Sequence, residues 1–194
     1  MEHYIPDATT DIYEVENTFY LRSHPTRLAK LISQFELYQS IVHLPGALIE
    51  CGVYKGASLV RFASFRSLLE NPFSRPIIGF DAFGAFPRSK VSSKTDKAFI
   101  RRFEDVGGHG ISQEGLEEVL AKKGFANVQL IAGDVFDTIP AFTEAQPAQK
   151  VALLHLDLDI YEPTAFALDS LMPRVVKGGL VVFDDYTQNS VNGH

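Results

Sequence analysis

Four short apolar runs in this chain each end in an acid. Ala47-Leu48-Ile49 leads to Glu50, and Ile77 to Phe80 leads to Asp81. Val151 to Leu154 leads to Asp157 and Asp159, and Leu180 to Phe183 leads to Asp184 and Asp185. Runs of that length, apolar throughout, read as parallel strands buried on both faces. Between them lie stretches whose apolar residues recur three and four apart, as on one face of a helix. Strand and helix alternate. That order predicts an α/β domain with a mainly parallel sheet and helices on both faces. The handed crossover puts every strand end on one rim, where open α/β sheets bind ligands. Acids gathered there suit a cationic ligand, a metal ion, or both.

The chain has 194 residues, 45% of them hydrophobic, which suits one domain with a real core. Its formal net charge of -6 argues against nucleic acid as a general partner. Cys51 is the only cysteine, so no intrachain disulfide forms. Its place in an apolar strand predicts an inert core thiol and fits a reducing compartment. Met1 to Asp11 lacks the cationic-then-apolar pattern of a signal peptide. No apolar run approaches the ~20 residues of a membrane span. The expectation is a cytoplasmic protein without a membrane partner.

Residues 1–24 show no clear period and read as an N-terminal arm; residues 25–194 form the domain. Leu28, Leu31, Ile32, Phe35, Tyr38, Ile41 and Val42 predict a helix from Arg27 to Leu44. Further helices are expected over 57–69, 96–103, 112–123, 139–145 and 163–173. Strands are expected over 47–50, 76–81, 128–132, 150–156 and 180–183. Gly107-Gly108-His109-Gly110 reads as a flexible segment and lid hinge. Lys177-Gly178-Gly179 reads as a tight turn.

The turn Glu50-Cys51-Gly52-Val53-Tyr54-Lys55-Gly56 follows a strand and opens a helix. Its glycines allow close backbone approach to a ligand. It is not the G-x-G-x-x-G of dinucleotide folds, which disfavours a nicotinamide dehydrogenase. Glu50 suits an amino or sulfonium group better than a pyrophosphate. Asp81, at the end of the second strand, sits where a carboxylate accepts from ribose hydroxyls; capping a turn is the plainer alternative. Gly133-Asp134 has the same two readings, an adenine contact or a local turn. His155, Asp157 and Asp159 have period two and share a direction if the strand persists. With Asp184-Asp185 they crowd acids that need a cation. Oxygen ligands favour Mg²⁺ over Zn²⁺. His155 is expected to be a satisfied buried histidine.

Four segments carry a family resemblance: Gly46-Ala-Leu-Ile-Glu-Cys-Gly-Val-Tyr-Lys-Gly56, Gly79-Phe-Asp-Ala-Phe-Gly-Ala-Phe-Pro87, His155-Leu-Asp-Leu-Asp-Ile-Tyr-Glu-Pro-Thr164 and Gly178-Gly-Leu-Val-Val-Phe-Asp-Asp-Tyr186. From about Arg27 to Tyr186 the chain resembles the macrocin O-methyltransferases. These are Rossmann-like class I enzymes that use S-adenosylmethionine and Mg²⁺ to methylate sugar hydroxyls in natural-product biosynthesis. The resemblance implies Asp157, Asp184 and Asp185 as metal ligands and Asp159 as general base. It implies Glu50, Gly52, Gly56, Asp81 and Asp134 as cofactor contacts, with Tyr54, Ser58 and Gly133 beside them. It also implies a helix and an antiparallel hairpin after Asp184-Asp185-Tyr186, for which the residues to His194 are too few. The expectation is therefore a C-terminally short domain without that hairpin, an open acceptor pocket, and a sheet edge covered by self-association or by residues 1–24. A homo-oligomer acting on a small hydroxylated acceptor follows. A catechol-type O-methyltransferase and a non-catalytic binding protein with a relict cofactor site are the rival readings.

Overall fold

The computed structural model describes residues 11–88 and 90–184. Its elements, in chain order, are α1 (Ile12–Arg22), α2 (Thr26–Ile41), β1 (Ala47–Cys51), α3 (Ala57–Leu69), β2 (Ile77–Asp81), α4 (Lys94–Gly107), α5 (Gln113–Lys122), β3 (Val128–Ala132), α6 (Val135–Ala145), β4 (Val151–Leu156), α7 (Tyr161–Leu171) and β5 (Val175–Phe183). The five strands form one sheet in the order β3-β2-β1-β4-β5, and every described pairing is parallel. Strand order reverses between β1 and β4, so a crevice opens at their C-terminal ends.

The strands' side chains alternate between two cores. Leu48, Ile77 and Leu153 pack with Tyr38, Leu59, Phe62, Leu116 and Leu120 under α2, α3 and α5. Ile49, Ile78, Phe80 and Leu154 pack with Val135, Ile139, Phe142, Ala167 and Leu171 under α6 and α7. Both faces are therefore covered, as continuous apolar strands demand.

Three segments differ from the sequence expectation. Residues 12–22 of the expected arm form a helix, started by Asp11, whose carboxylate accepts from the Tyr13 amide. None of its residues is buried, so no packed face imposes a period on it. Lys177-Gly178-Gly179 does not reverse the chain but lies inside β5. Gly178 takes φ +84°, and a Cβ on Gly179 would lie 2.8 Å from Val175 Cγ1 and 3.0 Å from the Ala152 carbonyl oxygen. The glycines thus permit a distortion of the strand against β4, where the pairing register shifts. α6 starts a turn earlier than Ile139, because Asp134 caps it through the Phe136 amide.

The rim opposite the crevice is held by two buried arginines. Arg66 of α3 donates to the carbonyls of Arg75, Ala126 and Asn127, joining α3 to the approaches of β2 and β3. Arg75 donates to the carbonyls of Ile41, the last residue of α2, and of Leu44, and grips Glu70 through Nε and Nη2 at 2.9 and 3.0 Å. Tyr38 donates its hydroxyl to the same carboxylate at 2.5 Å. Arg75→Met removes the charge partner of Glu70 and the donor to several carbonyls, and should cost about 3–5 kcal/mol in chemical denaturation. Burial alone would raise the Glu70 pKa; hydrogen bonds from Arg75 and Tyr38 and the arginine charges outweigh it and hold it below the usual range. A depressed folded-state pKa stabilises above the unfolded value, and that stability disappears as pH falls through the folded value. Stability measured from pH 5 downward should therefore decline less steeply in Glu70→Gln than in the parent.

Candidate active site

The glycine turn begins where β1 ends against β4. Asp157 donates its amide to the Cys51 carbonyl at 2.8 Å, and Gly52 donates to Phe80 across the other side. Gly52 takes φ +91°, and a Cβ there would lie 1.8 Å from the Asp157 carbonyl oxygen. Only glycine lets the turn pass so close. Gly56 takes φ +82° at the start of α3, and a Cβ there would press on Leu116. Ser58 is buried in the first turn of α3.

Asp81 braces this turn. Its Oδ2 accepts from the Val53 and Tyr54 amides at 2.7 and 2.9 Å, and its Oδ1 from Phe83 at 2.7 Å. The turn-capping role is thus realised. An ionised carboxylate has about four acceptor positions, so capacity for a further donor remains. Tyr54, at φ +51°, ties the turn to the α4–α5 connection. Its carbonyl accepts from Ile111 at 2.8 Å, and its hydroxyl donates to the Gly107 carbonyl at 2.6 Å. Gly110 donates to Gly84 at 3.0 Å, so the expected hinge segment is fastened at both sides.

Gly52, Tyr54, Asp81, Gly133, Asp134, Asp157 and Asp159 line one cleft at the switch point. Phe86, Val91, Phe103 and Phe136 give it apolar walls, and Glu104, His109 and Lys90 contribute polar groups. Glu50, Gly56 and Ser58 are not part of its lining.

Glu50 and His155 are register partners on β1 and β4, both buried, with Glu50 Oε1 and His155 Nδ1 3.0 Å apart. Glu50 Oε2 is buried without a hydrogen-bond partner among the described residues. His155 Nε2 lies 3.8 Å from Asp184 Oδ1. Burial alone would lower the His155 pKa; the Asp184 and Glu50 side chains and the nearby carboxylate charges instead push it up to about 10. His155 is thus a satisfied buried histidine, as its setting predicts. The His155 ring, joined by Lys30 against the opposing effect of burial, draws the Asp184 pKa down to about 2.

His155, Asp157 and Asp184 offer ligand atoms within 4.8 Å of one another. Asp185 lies outside the described residues. The oxygen donors of this group are Asp157 and Asp184. Lys30 of α2 is already drawn to them, with Nζ 2.7 Å from Asp184 Oδ2 and 3.9 Å from Asp157 Oδ2. No local pattern announces it, since 154 residues separate the partners.

Asp159 does not extend the period-two row. β4 ends at Leu156. Asp159 takes φ +63° in a three-residue turn closed by the Ile160 amide donating to the Leu158 carbonyl at 2.7 Å. That backbone state is sparsely populated and costs about 1–3 kcal/mol. It turns Asp159 out of the strand and onto the cleft wall.

A match to the macrocin O-methyltransferase family (TylF) covers residues 25–192. This chain belongs to that family. It is 31% identical over 147 residues to the 8-demethyl-8-(2,3-dimethoxy-alpha-L-rhamnosyl)-tetracenomycin-C 4'-O-methyltransferase of Streptomyces olivaceus, covering 74% of this chain and 54% of that one. It is 28% identical over 156 residues to the demethyldecarbamoylnovobiocin O-methyltransferase of Streptomyces niveus, again covering 74% and 54%. The chain thus spans about half the length of these curated relatives. Among solved structures, the calicheamicin methyltransferase CalS11 superposes with a TM-score of 0.65 at 27% identity, covering 93% of this chain and 73% of that one. The O-methyltransferase NovP, at 24% identity and a TM-score of 0.68 over 82% and 65% of the two chains, shares the fold. No helix among the described residues is long and apolar enough to cross a membrane.

Proposed function

We propose that this chain is an S-adenosylmethionine- and Mg²⁺-dependent O-methyltransferase of a small hydroxylated acceptor, a sugar or a glycosylated natural product. One observation carries the reading. Asp157 belongs both to the switch-point cleft and to the carboxylate cluster behind it. A site that joins the two can hold a methyl donor and a cation side by side. The relatives' names point to sugar-bearing natural products.

The residues fit both groups. Glu50 Oε2, buried and without a partner among the described residues, offers an acceptor to a cationic donor. Asp81 has capacity for ribose hydroxyls, and Gly133 and Asp134, which line the cleft, would contact the adenine. Asp157 and Asp184, with Asp185, would hold Mg²⁺; the oxygen-only set suits a hard ion, and the Lys30 ammonium already stands in its neighbourhood. When bound, Mg²⁺ supplies charge that lowers the pKa of an acceptor hydroxyl. Asp159 takes the proton from that hydroxyl. The cleft walls align the oxygen with the transferable methyl and exclude water. A cytoplasmic setting and self-association belong to the same proposal, supported by the buried Cys51 thiol and by exposed Tyr13, Tyr20 and Leu21 on α1.

Transfer of labelled methyl from S-adenosylmethionine to nucleotide-activated deoxysugars and glycosides, with and without Mg²⁺, tests the activity. Absence of transfer across that panel in the full-length protein rejects it. Asp81→Ala tests the donor cleft. It should weaken S-adenosylhomocysteine by about 1–3 kcal/mol, the worth of hydrogen bonds to a charged group. It should also lower Tm, since the Val53, Tyr54 and Phe83 amides lose their acceptor. A lower Tm with unchanged affinity leaves Asp81 a brace for the turn and nothing more.

A further inference from the structure

Among the described residues, two basic side chains face the acidic cluster, and they are not equivalent. His155 is 1% exposed, paired with Glu50 on the neighbouring strand and packed edge-on against the Phe62 ring at 5.5 Å. It cannot leave without unpacking the sheet. Lys30 stands on a surface helix with its side chain 40% exposed. Its four-carbon stem lets the ammonium swing into solvent while α2 stays packed through Leu31, Phe35, Tyr38 and Ile41. Two carboxylates held this close repel unless a cation lies between them. Lys30 is the exchangeable one.

We propose that Lys30 is a built-in counter-ion that holds Asp157 and Asp184 together and yields its place when a divalent cation enters. The proposal rests on the metal reading above and adds a residue that reading does not contain. It makes Lys30 a positioning residue with opposite effects on two quantities. It stabilises the metal-free fold by neutralising the acids. It weakens metal affinity by competing for the same oxygens.

Mn²⁺ binding to the full chain, followed by calorimetry or by the electron paramagnetic resonance signal of the free ion, tests this without any turnover. Lys30→Met keeps the apolar stem and removes the charge. It should bind Mn²⁺ about fivefold tighter, the upper end for one partly exposed ion pair. Lys30→Arg keeps the charge and should bind like the parent. In EDTA, Lys30→Met should melt below the parent, and saturating Mn²⁺ should close that gap. Lys30→Gln serves if the methionine variant aggregates. Equal or weaker Mn²⁺ binding in the uncharged variants overturns the counter-ion role and leaves the metal reading standing. Failure of every form, parent included, to bind Mn²⁺ overturns both.

Discussion

Asp159→Asn should lower turnover by about 10²–10⁴-fold, the usual worth of a positioned general base. Affinity for S-adenosylhomocysteine should hardly move. Asparagine is the informative replacement because Asp159 sits at φ +63°, a conformation that Asn tolerates nearly as well as Asp. The turn from Leu158 to Ile160 then survives, and only the proton acceptor is lost. Steady-state kinetics with saturating acceptor, beside a binding titration, separates the two quantities. Parallel loss of cofactor affinity would make Asp159 a structural residue of the cleft wall.

Gly52→Ala should be the most damaging small substitution in the site. Its Cβ would lie 1.8 Å from the Asp157 carbonyl oxygen, which is backbone and cannot rotate away. The positive φ adds strain of its own. Together they should cost about 2–5 kcal/mol, read as a fall in the denaturation midpoint. Relief requires β1 and the end of β4 to separate, so cofactor binding should disappear even in the fraction that stays folded. Gly84→Ala is the control, because a Cβ there meets nothing within 4 Å. A Gly52→Ala protein with parental stability would show that the turn has slack which the packing denies.

Most of the sheet was legible because its strands are delimited at both ends by chemistry. β1 to β4 lie within a residue of their expected limits, each an apolar run stopped by an acid or a glycine. β5 was not, because Gly178-Gly179 punctuates a sequence in the same way whether it reverses a chain or distorts a strand. α1 escaped for another reason. Its apolar residues Ile12, Tyr13, Val15, Phe19, Tyr20 and Leu21 are all exposed, and a period records only what a core has selected. Arg66 is buried on α3, and no local pattern announces its three carbonyl acceptors.

The site divides along similar lines. The strand ends announced Asp81, Asp157 and Asp184, and the cleft and cluster bring them to one rim. Period two failed at Asp159, because extrapolating a strand assumes it continues, and β4 stops at Leu156. Lys30 left no trace, since contacts between distant segments depend on how α2 crosses the sheet rather than on any local pattern. Asp185 and Tyr186 lie outside the described residues, as do the residues to His194 on which the expected openness of the acceptor side depends.

Calorimetric titration of S-adenosylhomocysteine against NAD, each with and without Mg²⁺, tests the central claim most directly. The acidic glycine turn and the cleft around Asp81 predict one S-adenosylhomocysteine site per chain, formed without Mg²⁺, and no heat from NAD. Binding of NAD in place of S-adenosylhomocysteine, or of neither at millimolar concentration, would contradict it.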